Sequence, residues 1–128
     1  MTDEATDFLR KARASVLAAQ HLLDAKDDPG FVISRAYYAM YYCATAVLLE
    51  SGVSHGKHSA LISSFGRDYA NSGRMPRHLH RYIIDAFAQR STGDYEPNTG
   101  LTDAQAEISI THANEFIAET EKFLNQQP

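Results

Sequence analysis

The chain has little of what most small specialised folds rely on. Cys43 is its only cysteine, so no internal disulfide can form, and a reducing, cytoplasmic setting is expected. No cysteine or carboxylate cluster completes a metal-binding set, and neither metal nor cofactor is expected. Seven glycines and four prolines are too few for a fibrous or low-complexity chain. The most apolar stretch, Ala36 to Leu49, is too short and too polar at its edges to span a bilayer. The start, Met1 to Asp7, is acidic and polar, unlike a secretory signal. No segment alternates as a strand between hairpin turns, and no solenoid repeat recurs. Phosphate loop, nucleophile elbow and dinucleotide fingerprint are all missing.

What remains is a chain of 128 residues, 44% hydrophobic and 22% charged. That length and composition suit one globular domain over residues 1–128 with a core of its own. The net charge of −4 is unevenly spread. Residues 55–90 carry Lys57, Arg67, Arg74, Arg77, Arg81 and Arg90 against Asp68 and Asp85, whereas residues 91–128 carry Lys122 against seven acids. A basic middle can meet a phosphate backbone or an acidic partner. It can equally face the acidic tail within the fold or across a dimer.

Apolar periodicity gives helix after helix. Phe8, Ala12, Val16, Ala19 and Leu23 stripe a first helix over Asp3–Ala25. Asp27, Asp28, Pro29 and Gly30 then read as a turn. A second helix over Phe31–Ser51 is apolar around most of its circumference, the mark of a central position, with Gly52 placed for a left-handed cap. A third, shorter helix is expected over His58–Ala70, and a fourth over Arg77–Ser91 after Pro76. Thr92–Leu101 reads as a loop, and Thr102 as the N-cap of a last helix ending near Asn125. The expected fold is all-α, an antiparallel four-helix bundle with an additional short helix, five helices in all.

Four islands carry a family resemblance. Ser34-Arg-Ala-Tyr-Tyr-Ala-Met-Tyr-Tyr42, Lys57-His-Ser59, Ser64-Phe-Gly66 and Arg90-Ser-Thr-Gly-Asp-Tyr95, in this order, resemble HEPN domains. The resemblance is to stand-alone prokaryotic members encoded beside a minimal nucleotidyltransferase. It implies a homodimeric bundle, a role connected with RNA or nucleotide, and membership of a toxin–antitoxin pair. Active members of the wider superfamily are metal-independent ribonucleases. They use an arginine followed a few residues later by a histidine, often with a tyrosine two positions on. The histidine moves protons and the arginine steadies phosphate charge.

In this chain the corresponding catalytic candidates are Arg90, Asp94 and Tyr95, with aspartate where the histidine would stand. An unperturbed aspartate titrates at about 3.9, a poor match for proton shuttling near neutrality. Arg90 can still bind phosphate, or it can pair with Asp94 and fix the local chain. Arg74, His80 and Tyr82 fit the motif by spelling but lie earlier. Phosphate or ligand binding is expected of Arg35, Lys57, His58 and Arg90. Arg35, in a buried helix, needs a partner such as Asp94 or Asp85. His58 is expected to cap the third helix or pair with a tyrosine. Tyr37, Tyr38, Tyr41 and Tyr42 are either a stacking wall or core residues with bonded hydroxyls. His78 and His80 point about 200° apart and cannot chelate together.

Three readings follow. One is a partner module of a nucleotidyltransferase that also binds RNA or nucleotide. Another is an active ribonuclease toxin. The last is a purely structural dimer without a membrane role.

Overall fold

The computed structural model describes residues 1–127. Among them five α-helices and one π-helical turn are found, and no strand. Helix α1 (Asp3–Asp24) starts at Thr2, whose side chain accepts the Ala5 N–H at 3.0 Å. Asp3 and Glu4 lie at the positive end of its dipole. Its buried face is Ala5, Leu9, Ala12, Val16 and Ala19. Phe8 and Leu23, expected on that stripe, lie at its edge. Phe8 leans on Tyr42, with ring centroids 6.2 Å apart.

Helix α2 (Pro29–Glu50) begins earlier than Phe31, because Asp28 caps it by accepting the Gly30 N–H at 2.7 Å and Pro29 fits the first turn. It packs against α1, α4, α5 and α3, as its apolar composition requires. Val32, Ile33, Tyr37 and Met40 are closed to solvent. A fully buried side chain of this size stabilises the fold by roughly 1.5–3 kcal/mol. Gly52, at φ +71°, ends the helix. The Gly52 and Val53 amides donate back to Leu49 and Leu48.

The expected third helix divides. Helix α3 (His58–Phe65) is α-helical, and Gly66–Ala70 continues it as a π-helical turn in which the Asn71 N–H donates to Gly66 O. A Cβ on Gly66 would collide with the His80 imidazole. The glycine therefore lets the π turn and the next helix touch.

Helix α4 (His78–Tyr95) runs into the segment read as a loop. Glycine is a poor helix former, which is why Gly93 argued for a loop. Packing overrides that preference. A Cβ on Gly93 would lie 3.1 Å from the Gly30 backbone, so two glycines let the last turn of α4 cross the first turn of α2. Helix α5 (Asp103–Asn125) opens with a capping box between Thr102 and Gln105. The long helices α1, α2, α4 and α5 form the four-helix bundle, and α3 is the additional short helix.

Cys43 is buried, and burial pushes its thiol up to about 12. It is an inert core residue. No helix among the described residues is long and apolar enough to cross a membrane.

Candidate functional site

Because α4 continues past Ser91, Arg90 and Asp94 stand one turn apart on the same helix face. Arg90 Nε lies 2.7 Å from Asp94 Oδ2, with both side chains largely enclosed. The contact is close, but the Nε–H is not aimed at that oxygen and has no hydrogen-bond acceptor. Arg90 Nη2 donates to the Tyr38 hydroxyl at 2.9 Å. The guanidinium lies 5.4 Å from the Tyr38 ring centre and 5.9 Å from that of Tyr37. Tyr95 is the next residue but is turned outward, 77% exposed. The expected trio is thus a pair, Arg90 and Asp94, with Tyr95 beside it at the surface.

His58 comes to the same place from α3. Its Nδ1 is 2.8 Å from the Tyr37 hydroxyl, and its ring stacks on Tyr41 at 4.2 Å. Tyr38 lies 5.8 Å away and Phe87 of α4 6.3 Å away, centroid to centroid. Burial and the neighbouring Arg90 charge hold the imidazole below its usual value. Burial raises Tyr37 and Tyr41, so both remain phenols at any ordinary pH. Arg90 and His58 therefore share Tyr37 and Tyr38 as common walls. Lys57, just before α3, is exposed.

Arg35 corrects an expectation. It pairs with neither Asp94 nor Asp85. Its guanidinium lies 5.1 Å over the Tyr38 ring. Asp94 is taken by Arg90, and Asp85 faces Arg81 at 3.8 Å. The physical reason is that α2 is not buried all round. Phe31, Arg35, Tyr38 and Tyr42 form a partly exposed stripe at helical spacing, so Arg35 keeps its charge near water.

The set that spells the motif is scattered. Arg74 is exposed, with its guanidinium 4.4 Å over Tyr69 and 5.5 Å from the Phe123 ring centre. His80 packs on Gly66, and burial lowers its pKa. Tyr82 stacks on His112 of α5 at 3.6 Å. These three side chains face three different neighbours. His78, also outside any chelating pair, meets Glu115. Among the described residues no three His, Cys, Asp or Glu side chains converge as a metal ion would need.

The periodicity missed the joint role of Tyr37, Tyr38 and Phe87 in seating His58 against Arg90. Tyr37 and Tyr41 share a helix face, which was readable. Their meeting with His58 depends on where α3 docks, which was not.

Residues 5–123 match the family profile of the HEPN domain. The chain belongs to the HEPN family. A relative from Gloeobacter violaceus, named UPF0332 protein glr0978, is 40% identical over 98% of this chain and 100% of its own length. A Methanocaldococcus jannaschii protein named "Putative toxin MJ0142" is 29% identical, covering 94% of this chain and 82% of its own. Among solved structures, TT1696 from Thermus thermophilus superposes with a TM-score of 0.78 at 21% identity. The match covers 95% of this chain and 99% of that one, and shows a shared fold.

Proposed function

We propose that this HEPN protein is the partner module of a minimal nucleotidyltransferase in a toxin–antitoxin-like pair, and that Arg90 binds a phosphate of RNA or nucleotide. Arg90 carries the reading. It is a guanidinium held among aromatic rings, fixed at one nitrogen by Tyr38 and close to Asp94. A fixed fork of donors beside aromatic faces suits phosphate and base together. Two relatives that carry the name "Putative toxin" support the toxin–antitoxin setting. The partly exposed aromatic stripe on α2 supports homodimerisation, because solvent-facing aromatics at helical spacing favour a covering surface. The protein works in the cytoplasm on this reading, and Arg35 and Lys57 add cationic charge to the site.

The test is to incubate purified protein with structured RNA in EDTA and follow binding and cleavage separately. Binding without cleavage, lost in Arg90→Ala, is the expected result. Cleavage would instead make the chain a metal-independent ribonuclease. Its loss in Arg90→Ala, Asp94→Ala or Tyr95→Phe would then assign the chemistry there. Loss in Arg74→Ala, His80→Ala or Tyr82→Phe would assign it to the other set. Neither binding nor cleavage by a folded dimer would leave only a structural role and overturn the proposal.

A further inference from the structure

We propose that Tyr37 holds His58 in the form that carries its hydrogen on Nε2, making His58, beside Arg90 and Tyr38, the third donor of a site for one phosphate group. This rests on the reading of Arg90 as a phosphate ligand and says how the rest of the site is built.

The tautomer follows from burial. Tyr37 is closed to solvent, and its hydroxyl has one partner, His58 Nδ1 at 2.8 Å. Desolvation keeps Tyr37 a phenol, so its O–H has a hydrogen to donate. If Nδ1 carried the hydrogen, the phenolic O–H would be left buried with no acceptor, a costly arrangement. The low-cost arrangement has Tyr37 donating to Nδ1. The imidazole is neutral near pH 7, since burial and Arg90 both disfavour its charged form. A neutral imidazole holds one hydrogen, which must then be on Nε2.

That hydrogen is available. Among the described residues the buried side-chain nitrogen and oxygen atoms without partners are Arg90 Nε and Thr120 Oγ1. His58 Nε2 has no protein partner and is not one of them, so it meets solvent. Tyr38 behaves in parallel. Its oxygen accepts from Arg90 Nη2, which leaves its own hydrogen to point elsewhere.

Arg90 and His58 therefore flank the same pair of rings, Tyr38 itself bears the other donor, and the local charge is net positive. The Arg35 guanidinium, 5.1 Å over Tyr38, adds to Arg90, while Asp94 is held against Arg90. The same tautomer has a chemical consequence. An Nε2 that already carries hydrogen cannot take a proton from a ribose hydroxyl. His58 is thus a binding donor here, and Tyr37 is its positioning residue.

The test combines ring ¹⁵N NMR of His58 with titrations of three probes: inorganic phosphate, adenosine monophosphate and a single-stranded RNA oligonucleotide. The wild type is expected to show a bare Nδ1 and a protonated Nε2, and the phosphate-bearing probe that binds should shift the Nε2–H signal. Tyr37→Phe, which removes one oxygen and keeps the ring, should release the tautomer into a mixture and weaken binding. His58→Ala should weaken binding roughly tenfold or more, the scale of one lost hydrogen bond to a charged group. His58→Gln, whose amide N–H replaces the Nε2 donor, should bind within a few-fold of wild type. Equal affinity for the nucleotide and the oligonucleotide would point to a free nucleotide, and tighter binding of the oligonucleotide to an RNA backbone; both support the site. An Nδ1–H tautomer in the wild type would overturn the proposal even with Arg90-dependent binding intact. No response of His58 to any of the three probes would also overturn it. Unchanged binding in Arg90→Ala, with the Nε2–H tautomer observed, would instead sink the reading of Arg90 alone.

Discussion

The two ends of α4 use their arginines in opposite ways. At the N-terminal end Arg81 is mostly in water, facing Asp85 at 3.8 Å, and Arg77, just before the helix, is exposed and donates to the Asn71 carbonyl. At the C-terminal end Arg90 is turned inward, 19% exposed in its side chain, with Asp94 and Tyr38 around it. The difference is one of helix phase. Arg90 stands about half a turn around the axis from Arg81, on the side of the buried Ile83. The same charge is a solvated surface group on one side and a constrained ligand on the other. Position around the helix, more than the local density of basic residues, decides which arginine has a specific partner.

The comparison breaks most easily at the crossing that carries the C-terminal end. Gly93→Leu should cost about 1–3 kcal/mol, because the new side chain meets the Gly30 backbone, which cannot rotate away. Urea denaturation checks this, with the C-terminal turn of α4 expected to lose hydrogen-exchange protection first. A variant as stable as wild type would mean that α2 and α4 do not need their close approach.

Binding separates the ends next. Arg90→Ala should weaken the interaction with single-stranded RNA or nucleotide at least tenfold, about 1.4 kcal/mol. Arg77→Ala should change it by no more than a few-fold, and mainly at low salt, since exposed charges act through a screened field. Fluorescence anisotropy at two salt concentrations reads both. Equal losses from the two variants would make the basic surface, and not the enclosed arginine, the binding element.

Acid should then act on both ends through histidines that are held neutral. His58, near the C-terminal half of α4, and His80, at its N-terminal end, both titrate below the usual 6.5, chiefly because of burial. Their unfolded forms bind protons first as pH falls. Stability is therefore unaffected by them above about 6.5 and is lost as pH drops from there through their folded values. Tyr37, Tyr38, Tyr41, Phe87 and Arg90 surround His58, while His80 lies against Gly66 with Arg81 nearby. Melting temperatures measured between pH 7.5 and 5, values chosen to bracket about 6.5, should fall. His80→Gln and His58→Gln should each remove part of the slope. A flat profile would mean that neither imidazole is desolvated.

What the sequence made legible was what is local. The Gly52 cap and the Thr102 N-cap were readable because every partner lies within a turn. The central place of α2 was readable from its composition. Gly93 was misassigned because a glycine's poor helix propensity is a local fact, whereas its close approach to Gly30 is a tertiary one. Arg35 was given the wrong partner for a related reason: periodicity showed an apolar helix, but not which strip of it the neighbours leave uncovered. Lys57-His-Ser59 and the Arg90 island were each recognisable. That α3 would bring His58 over the rings shared with Arg90 depends on docking that no spacing encodes.

The smallest expected effect closes the comparison at the solvated end. Arg81 and Asp85 stand one turn apart, yet their closest nitrogen–oxygen distance is 3.8 Å and both side chains are more than half exposed. Such a pair loses in side-chain entropy and screening most of what it gains in attraction. Arg81→Ala should therefore shift stability by less than about 0.5 kcal/mol. The double substitution with Asp85→Ala should show no coupling beyond that size in a double-mutant cycle. Arg90→Ala and Asp94→Ala in the same cycle should couple more strongly, because removing either partner leaves the other charge partly enclosed without its counter-ion. If the two cycles returned the same coupling, the inward turn of Arg90 would carry no energetic weight, and the two ends of α4 would differ in appearance alone.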